Sequence, residues 1–331
     1  MSRRSSRFAA GVALVVFGIV ALGGSLLGGA TKGFATAKTT SAVSAKTVPT
    51  TKFPLSTAKA VALGLIEGVT EFLPISSTGH LLVAERLMDV GTQSDDAKKA
   101  ADAYAVIIQL GAIAAVLVVS WRRVLDVLQG LVGRSETGRR LLLNLIAAFV
   151  PAAVVGVSLD STLEKYLLKP VPVAIAWLIG GVAIIVLARR FTSSHESRRL
   201  LDAMTTKQAL IIGLAQALAL WPGVSRSLVT IVAAILLGFR LRDGVEFSFL
   251  LGLCTLSAAA GYSFLKNGSL VFDTFGTRTP LIGMVVAFAS AVVAVKWMVA
   301  YLNKRDLSVF GFYRIIAGVV TLALVAANQL N

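Results

Sequence analysis

Cysteine and charge are what this sequence is short of. Its single cysteine, Cys254, stands in an apolar run. That excludes a disulfide framework and a thiolate metal centre, and it reads as a buried small residue. Only 15% of the residues are charged while 56% are hydrophobic, a balance far more apolar than a soluble globular domain needs. The chain is therefore read as an integral membrane protein. Acidic residues number 17 against 32 basic ones, a net charge of +15. Gathered in one patch that surplus would point to nucleic acid. Here the basic residues lie in short clusters between apolar runs, the pattern of cytoplasmic loops facing anionic membrane lipid, so nucleic acid is not an expected partner.

At the amino end Arg3, Arg4 and Arg7 precede an apolar run over 8–29, followed by Ala35-Thr36-Ala37 and a Thr/Ala/Ser/Lys tract to Lys52. A signal peptide has a shorter apolar region, roughly 7–15 residues, so residues 1–30 are expected to be an uncleaved signal anchor, with Ala35-x-Ala37 keeping cleavage open. Residues 31–55 follow as a disordered extracytoplasmic linker, and 56–331 as a polytopic membrane domain.

Six apolar runs are long enough to span: 103–120, 140–158, 171–188, 245–265, 281–300 and 312–329. Two more, 57–88 and 208–238, are interrupted by Pro, Gly and Ser. Each is too broken for one straight helix, and each half is too short to cross, so both read as re-entrant pairs of half-helices. If 57–88 returns to its starting side, the clusters Arg122/Arg123/Arg134/Arg139/Arg140, Arg189/Arg190/Arg198/Arg199/Lys207, Arg240/Arg242 and Lys304/Arg305 all fall inside. Counted as a full span, it would put them outside.

The broken segments also resemble each other. Gly64-Leu65-x-Glu67 is echoed by Gly213-Leu214-x-Gln216, and Phe72-Leu73-Pro74-Ile75-Ser76-Ser77 by Trp221-Pro222-Gly223-Val224-Ser225-Arg226-Ser227, with a one-residue gap. Because charge makes them enter from opposite sides, they are expected to be inverted repeats whose tips meet near the midplane. The expected fold is thus all-α: six spanning helices, two re-entrant hairpins and an N-terminal anchor.

The chemistry concentrates at those tips. An ionisable group at bilayer depth costs about 2.5–3.5 kcal/mol on insertion scales, so a chain that keeps several together is using them. Glu67 and Glu71, four residues apart, share a helix face and suit either a divalent cation, Mg²⁺ or Ca²⁺, or base catalysis. Pro74 is expected to stop that helix, with Ser76, Ser77 and Thr78 at the next N-terminus and His80 in its first turn. Pro222-Gly223 then Ser225-Arg226-Ser227 repeat the arrangement, and Arg226 adds a guanidinium fork suited to phosphate oxygens. Two converging anion sites, carboxylates and a hydroxyl indicate phosphoryl chemistry on a lipid.

Blander roles are weighed beside these. A lone membrane Ser or Thr is usually helix glue, and His80 is as readily a packed residue as an acid or base. Gln109, Asn144 and Gln216 are expected to bond between helices, although Gln216 mirrors Glu67. His195 sits in a basic loop as a solvated residue, and Glu246 is expected to pair locally.

Glu67-Gly-Val-Thr-Glu71-Phe-Leu-Pro-Ile-Ser-Ser-Thr-Gly-His80 resembles the first signature of the undecaprenyl-diphosphate phosphatases, also called bacitracin resistance proteins. Leu220-Trp-Pro222-Gly-Val-Ser225-Arg226-Ser227-Leu-Val-Thr230 resembles their second. Ile107-Ile-Gln109-Leu-Gly111 and Glu246-Phe-Ser-Phe-Leu-Leu are similar to further family features, and the resemblance runs over 56–329. It implies hydrolysis of the C55 isoprenyl diphosphate carrier to its monophosphate, recycling it for the envelope, at a site open to the outer face of the bacterial plasma membrane. It also implies divalent cation dependence and a link to bacitracin resistance. The chain departs from the family at its amino-terminal extension and at Leu228, where the family usually has Gly. A Leu there adds bulk near backbone expected to approach phosphate.

Both lines combine into one expected mechanism. Arg226, with Ser76, Thr78, Ser225, Ser227 and Thr230 at the tips, holds the diphosphate, and Glu67 and Glu71 carry the cation. Ser77 attacks with Glu71 or His80 as base, or a metal-bound water attacks directly. The runner-up function is a flippase or transporter of a polyprenyl phosphate lipid, since discontinuous helices in inverted repeats also build transporters.

Overall fold

The computed structural model describes residues 55–191 and 199–330. The expected anchor, nearly all of the linker and His195 lie outside these residues. The described residues contain no strand, and their helices are α1 (Thr57–Thr70), α2 (Ser77–Leu87), α3 (Asp95–Val119), α4 (Trp121–Leu131), α5 (Glu136–Leu167), α6 (Pro170–Phe191), α7 (Thr206–Gln216), α8 (Arg226–Leu236), α9 (Leu241–Phe275), α10 (Arg278–Leu302) and α11 (Ser308–Ala326). Six of them, α3, α5, α6, α9, α10 and α11, are long and apolar enough to cross a membrane. These are the six spans expected, each starting earlier than its apolar run, and in α3 and α5 a capping hydroxyl sets the first turn. Ser94 Oγ accepts the Ala97 amide at 3.1 Å and Ser135 Oγ the Gly138 amide at 3.0 Å. Thr205 and Gln208 close a capping box at the start of α7. The protein is a multi-pass membrane protein.

The two interrupted segments each form two short helices around a turn. The first of them ends earlier than proline alone predicts: α1 stops at Thr70, Glu71 is its C-cap, and Pro74 lies inside the following turn. Glu71 keeps αR geometry and its amide reaches the Glu67 carbonyl at 2.9 Å, so the two carboxylates still follow one another up one face. In the second segment a 3-10 turn over Ala217–Leu220 separates α7 from the Pro222-Gly223 break.

Helix α1 packs along α10, and α7 along α5. Small residues permit both contacts: a Cβ on Gly64 would lie 2.4 Å from the Gly283 carbonyl oxygen, and one on Gly213 would lie 2.3 Å from that of Ala148. Close backbone approach through small residues is how membrane helices gain packing without a hydrophobic drive. The tips join in a common core where Phe72, Leu73 and Ile75 meet Leu228, Ile231 and Phe249. Leu228 is therefore a packing residue, buried in that core, and its amide is bound to Ser225 Oγ at 3.3 Å.

Away from the tips, Asn144 bonds between helices as expected, donating to the Met204 carbonyl at 2.8 Å and accepting from Thr206 Oγ1 at 3.1 Å. Glu246 does not pair with the nearby Arg240 or Arg242. Its partner is Arg123 Nε at 2.6 Å, from the start of α4, which also reaches Asp202 at 3.2 Å. Burial pulls the Arg123 guanidinium down, but Glu246 and its other acidic neighbours outweigh that and raise it. Cys254 is half-buried and packs against a core cluster.

Candidate active site

The end of α1, the turn after it and the starts of α2 and α8 converge on one buried polar cluster. Ser77, the first residue of α2, donates its hydroxyl to Glu71 Oε2. The other oxygen of Glu71 lies 3.4 Å from Nη2 of Arg226, the first residue of α8. Arg226 is fixed by two further contacts: Nη1 donates to the Ser248 carbonyl at 3.1 Å, and the guanidinium lies 5.5 Å from the centre of the Phe72 ring. Room for it exists because residue 252 is Gly; a Cβ there would come within 2.1 Å of Nη1. Glu71, Ser77 and Arg226 are all shielded from solvent by the helices around them.

The residues before α2 and α8 share one unusual conformation. Ser76 and Ser225, their N-caps, both have φ +74°, a left-handed value that L residues other than glycine rarely take. Such strain costs about 1–3 kcal/mol and persists where the surroundings over-determine it. Here they do. A relay runs from the Leu228 amide to Ser225 Oγ, on to Ser227 Oγ at 3.0 Å, and ends with Ser227 donating to the Leu73 carbonyl at 2.9 Å, tying the second tip to the first.

Beneath both tips lies Arg314 of α11, wholly inaccessible to solvent. Nη2 donates to the carbonyls of Ala176 and Gly223, each at 2.9 Å, and Nη1 points to the Pro74 carbonyl at 3.4 Å. One guanidinium therefore grips both breaker turns. Like Arg226 it sits over a glycine, Gly180, where a Cβ would approach Nη2 to 2.3 Å.

His80 lies one turn along α2 from Ser77, with both ring nitrogens engaged elsewhere. Its Nδ1 lies 2.7 Å from the Ser76 carbonyl, which only accepts, so Nδ1 carries the proton. Nε2 is then left to meet the Tyr313 hydroxyl at 2.7 Å, and the ring packs between Trp177 and Tyr313. Neither ring nitrogen is bonded to Ser77. Glu67 is buried one turn before Glu71, with Oε1 lacking any hydrogen-bond partner. Gln216, expected to bond between helices, is buried with both amide atoms unpartnered.

A sequence model of the bacitracin resistance protein BacA family matches residues 60–320. The chain belongs to that family. It is 44% identical over 266 residues to undecaprenyl-diphosphatase 2 of Rhodospirillum rubrum, covering 80% of this chain and 93% of that protein. Undecaprenyl-diphosphatase 1 of Acinetobacter baylyi is 38% identical over 264 residues, 80% of this chain and 94% of that one. The undecaprenyl-diphosphatase of Burkholderia mallei is 40% identical over 266 residues, again 80% and 94%.

Within this BacA family chain the structure gathers Glu67, Glu71, Ser77, Arg226, Ser225 and Ser227. Thr78 is exposed beside them. Thr230 is turned away: its hydroxyl is 2.9 Å from the Arg226 carbonyl and 2.7 Å from Ser248 Oγ, so it supports α8 from behind. Ser76 contributes its carbonyl to His80, and no bond from its hydroxyl caps α2. Sequence reasoning missed Arg314, Ser248 and Tyr313. Of these, Ser248 lies in the Glu246-Phe-Ser-Phe-Leu-Leu run noted above, and Arg314 had a signal of its own, an arginine seven residues into an otherwise apolar spanning helix.

Proposed function

We propose that this chain hydrolyses undecaprenyl diphosphate to undecaprenyl phosphate and inorganic phosphate, returning the lipid carrier to envelope synthesis and conferring bacitracin resistance. The observation that carries this reading is the contiguous set of Ser77, Glu71 and Arg226: a hydroxyl already hydrogen-bonded to a carboxylate, which is already paired with a guanidinium. That is a nucleophile, its base and an anion clamp in one buried place. The relatives' name, undecaprenyl-diphosphatase, agrees with it.

In this mechanism Arg226 and the free amides at the starts of α2 and α8 take the diphosphate oxygens. Ser77 Oγ bonds to the terminal phosphorus as Glu71 takes its proton, and the bond to the bridging oxygen breaks, Glu71 passing that proton to the departing undecaprenyl phosphate. Water, deprotonated by Glu71, then attacks the phosphoryl group, and Glu71 returns the proton to Ser77 Oγ as its bond to phosphorus breaks and phosphate is freed. The pairing of His80 with Ser76 and Tyr313 makes Glu71 the base in this scheme and His80 a residue that steadies α2.

A divalent cation, Mg²⁺ or Ca²⁺, fits the residues present. Glu67 Oε1 is a buried, unpartnered oxygen, and no group of three or more His, Cys, Asp or Glu gathers among the described residues. Glu67 and Glu71 would hold the ion with substrate oxygens completing its shell, as Mg²⁺ sites on phosphates usually do. Bound there, it supplies positive charge against the accumulating negative charge of diphosphate and carboxylates.

The two interrupted segments are read as re-entrant hairpins in inverted repeats. Shared φ at Ser76 and Ser225 and the matching glycine contacts of α1 on α10 and α7 on α5 support this. With the basic loops inside, the site faces the outer side of the plasma membrane. Residues 56–331 then form the phosphatase domain. Purified protein in detergent, given undecaprenyl diphosphate, should release phosphate. Silence there, where no compartments exist, would favour a lipid flippase instead.

A further inference from the structure

A groove of about 730 Å³ runs between α1, α10 and α11, walled by Leu65, Val69, Val286, Val293, Trp297 and Tyr313 among others. That volume lies within the usual range of ligand sites, about 300–1,000 Å³. Its few hydroxyls are already bonded: Thr70 Oγ1 donates to the Ile66 carbonyl at 2.7 Å and Ser290 Oγ to the Val286 carbonyl at 2.8 Å. Tyr313 directs its own hydroxyl to His80. The groove thus offers an apolar wall with its polar groups already satisfied, which suits a hydrocarbon and no polar ligand.

Its position is what gives it a meaning. Thr70 and Ile75, both in its wall, bracket the turn that carries Glu71, and Tyr313 joins it to the residue one turn beyond Ser77. One end of the groove is therefore the back of the proposed catalytic turn. Along α10 it extends from Val286 to Trp297, about 16 Å at 1.5 Å per residue.

We infer that this groove binds the prenyl chain of the substrate, holding the isoprene units nearest the diphosphate against α1, α10 and α11. The inference rests on the phosphatase reading above and adds to it where the lipid lies. Branched isoprene units lie against the aromatic side chains Trp297, Phe310 and Tyr313, and a groove this short selects the proximal end of the chain and leaves the remainder in the bilayer. It makes α10 and α11 specificity-determining elements although neither supplies a reacting group.

Ala289 lines the groove and is exposed, so Ala289→Trp fills it without entering the protein core. Leu65→Trp fills it from the opposite wall, at a residue 50% exposed. Val285→Trp, on the same helix at a residue 62% exposed and outside the groove, is the control. Steady-state phosphate release from undecaprenyl diphosphate is measured for each full-length variant in detergent, with melting temperature as the check on folding. KM should rise by about tenfold in both groove variants, the effect of losing contact with roughly two buried methylenes, with kcat within about twofold. Val285→Trp should leave KM unchanged. An unchanged KM in the folded groove variants, or an equal rise in the control, overturns the inference and leaves the groove to bulk phospholipid. Absence of phosphate release from the unaltered protein would instead refute the phosphatase reading itself. Should one groove variant fail to fold, the other decides.

Discussion

Replacing Glu71 by Gln preserves the shape of the side chain and removes the one charge that both Ser77 and Arg226 share. In the structure Glu71 accepts the Ser77 hydroxyl through one oxygen and faces Arg226 at 3.4 Å through the other. A neutral amide cannot take the Ser77 proton, and general-base loss typically costs 10²–10⁴ in rate. A fall in kcat of about 10³ is expected, roughly 4 kcal/mol of transition-state stabilisation at 1.36 kcal/mol per decade. Folding should suffer less than the about 3–5 kcal/mol of a typical broken buried pair. Arg226 keeps the Ser248 carbonyl and the Phe72 ring, and its separation from Glu71 is already long for a hydrogen bond. The assay is phosphate release from undecaprenyl diphosphate at saturation, with a melting curve beside it. Ser77→Ala should lose as much, and the double variant Glu71→Gln/Ser77→Ala no more than either, because nucleophile and base act as one unit. Retention of the rate within tenfold in Glu71→Gln, or losses that add in the double variant, would refute the pairing of these two residues in catalysis.

Chelation by EDTA should silence the purified protein and Mg²⁺ or Ca²⁺ restore it, with Glu67→Ala raising the metal concentration needed; full activity in chelator would confine the two carboxylates to base and structure. Leu228→Gly should lower stability by about 3 kcal/mol or more, since it empties a core site in the first turn of α8, and an unchanged melting temperature would return Leu228 to the phosphate-facing backbone. On a Cys254→Ser background, an impermeant thiol reagent on intact cells should label Thr92→Cys and spare Thr137→Cys, both exposed in the structure. The reverse pattern would put the site on the cytoplasmic side.

The spanning helices were legible in the sequence because each carries one long apolar run, and both breaks because Pro, Gly and Ser sit together where a membrane chain normally avoids them. The contact between Glu71 and Ser77, the pair proposed to react, was legible too: they lie six residues apart, so a local motif holds both. What escaped was long-range. Ser248 meets Arg226 across 22 residues, Tyr313 meets His80 across 233, and Arg123 rather than a neighbour takes Glu246. No spacing rule registers such partners. Leu228 was misjudged for a related reason, since its position beside the Ser-Arg-Ser run says where its amide is and nothing of which way its side chain turns. Gln216 showed the opposite failing: a buried amide promises a partner, and the structure gives it none among the described residues.

Arg314 sets an order of events for a chain made from its amino end. The carbonyls it grips, Pro74, Ala176 and Gly223, are all synthesised long before it, and α11 is the last helix described. Until α11 enters the bilayer those carbonyls have lost the donor that joins them, and the two strained serines have lost part of what holds them. The turn proposed to react is thus braced only once α11 has entered the bilayer. A ribosome that stops before Arg314 leaves a protein with its signature motifs intact and its two breaker turns unjoined by that guanidinium, so on the proposed mechanism it would not begin to consume the lipid carrier.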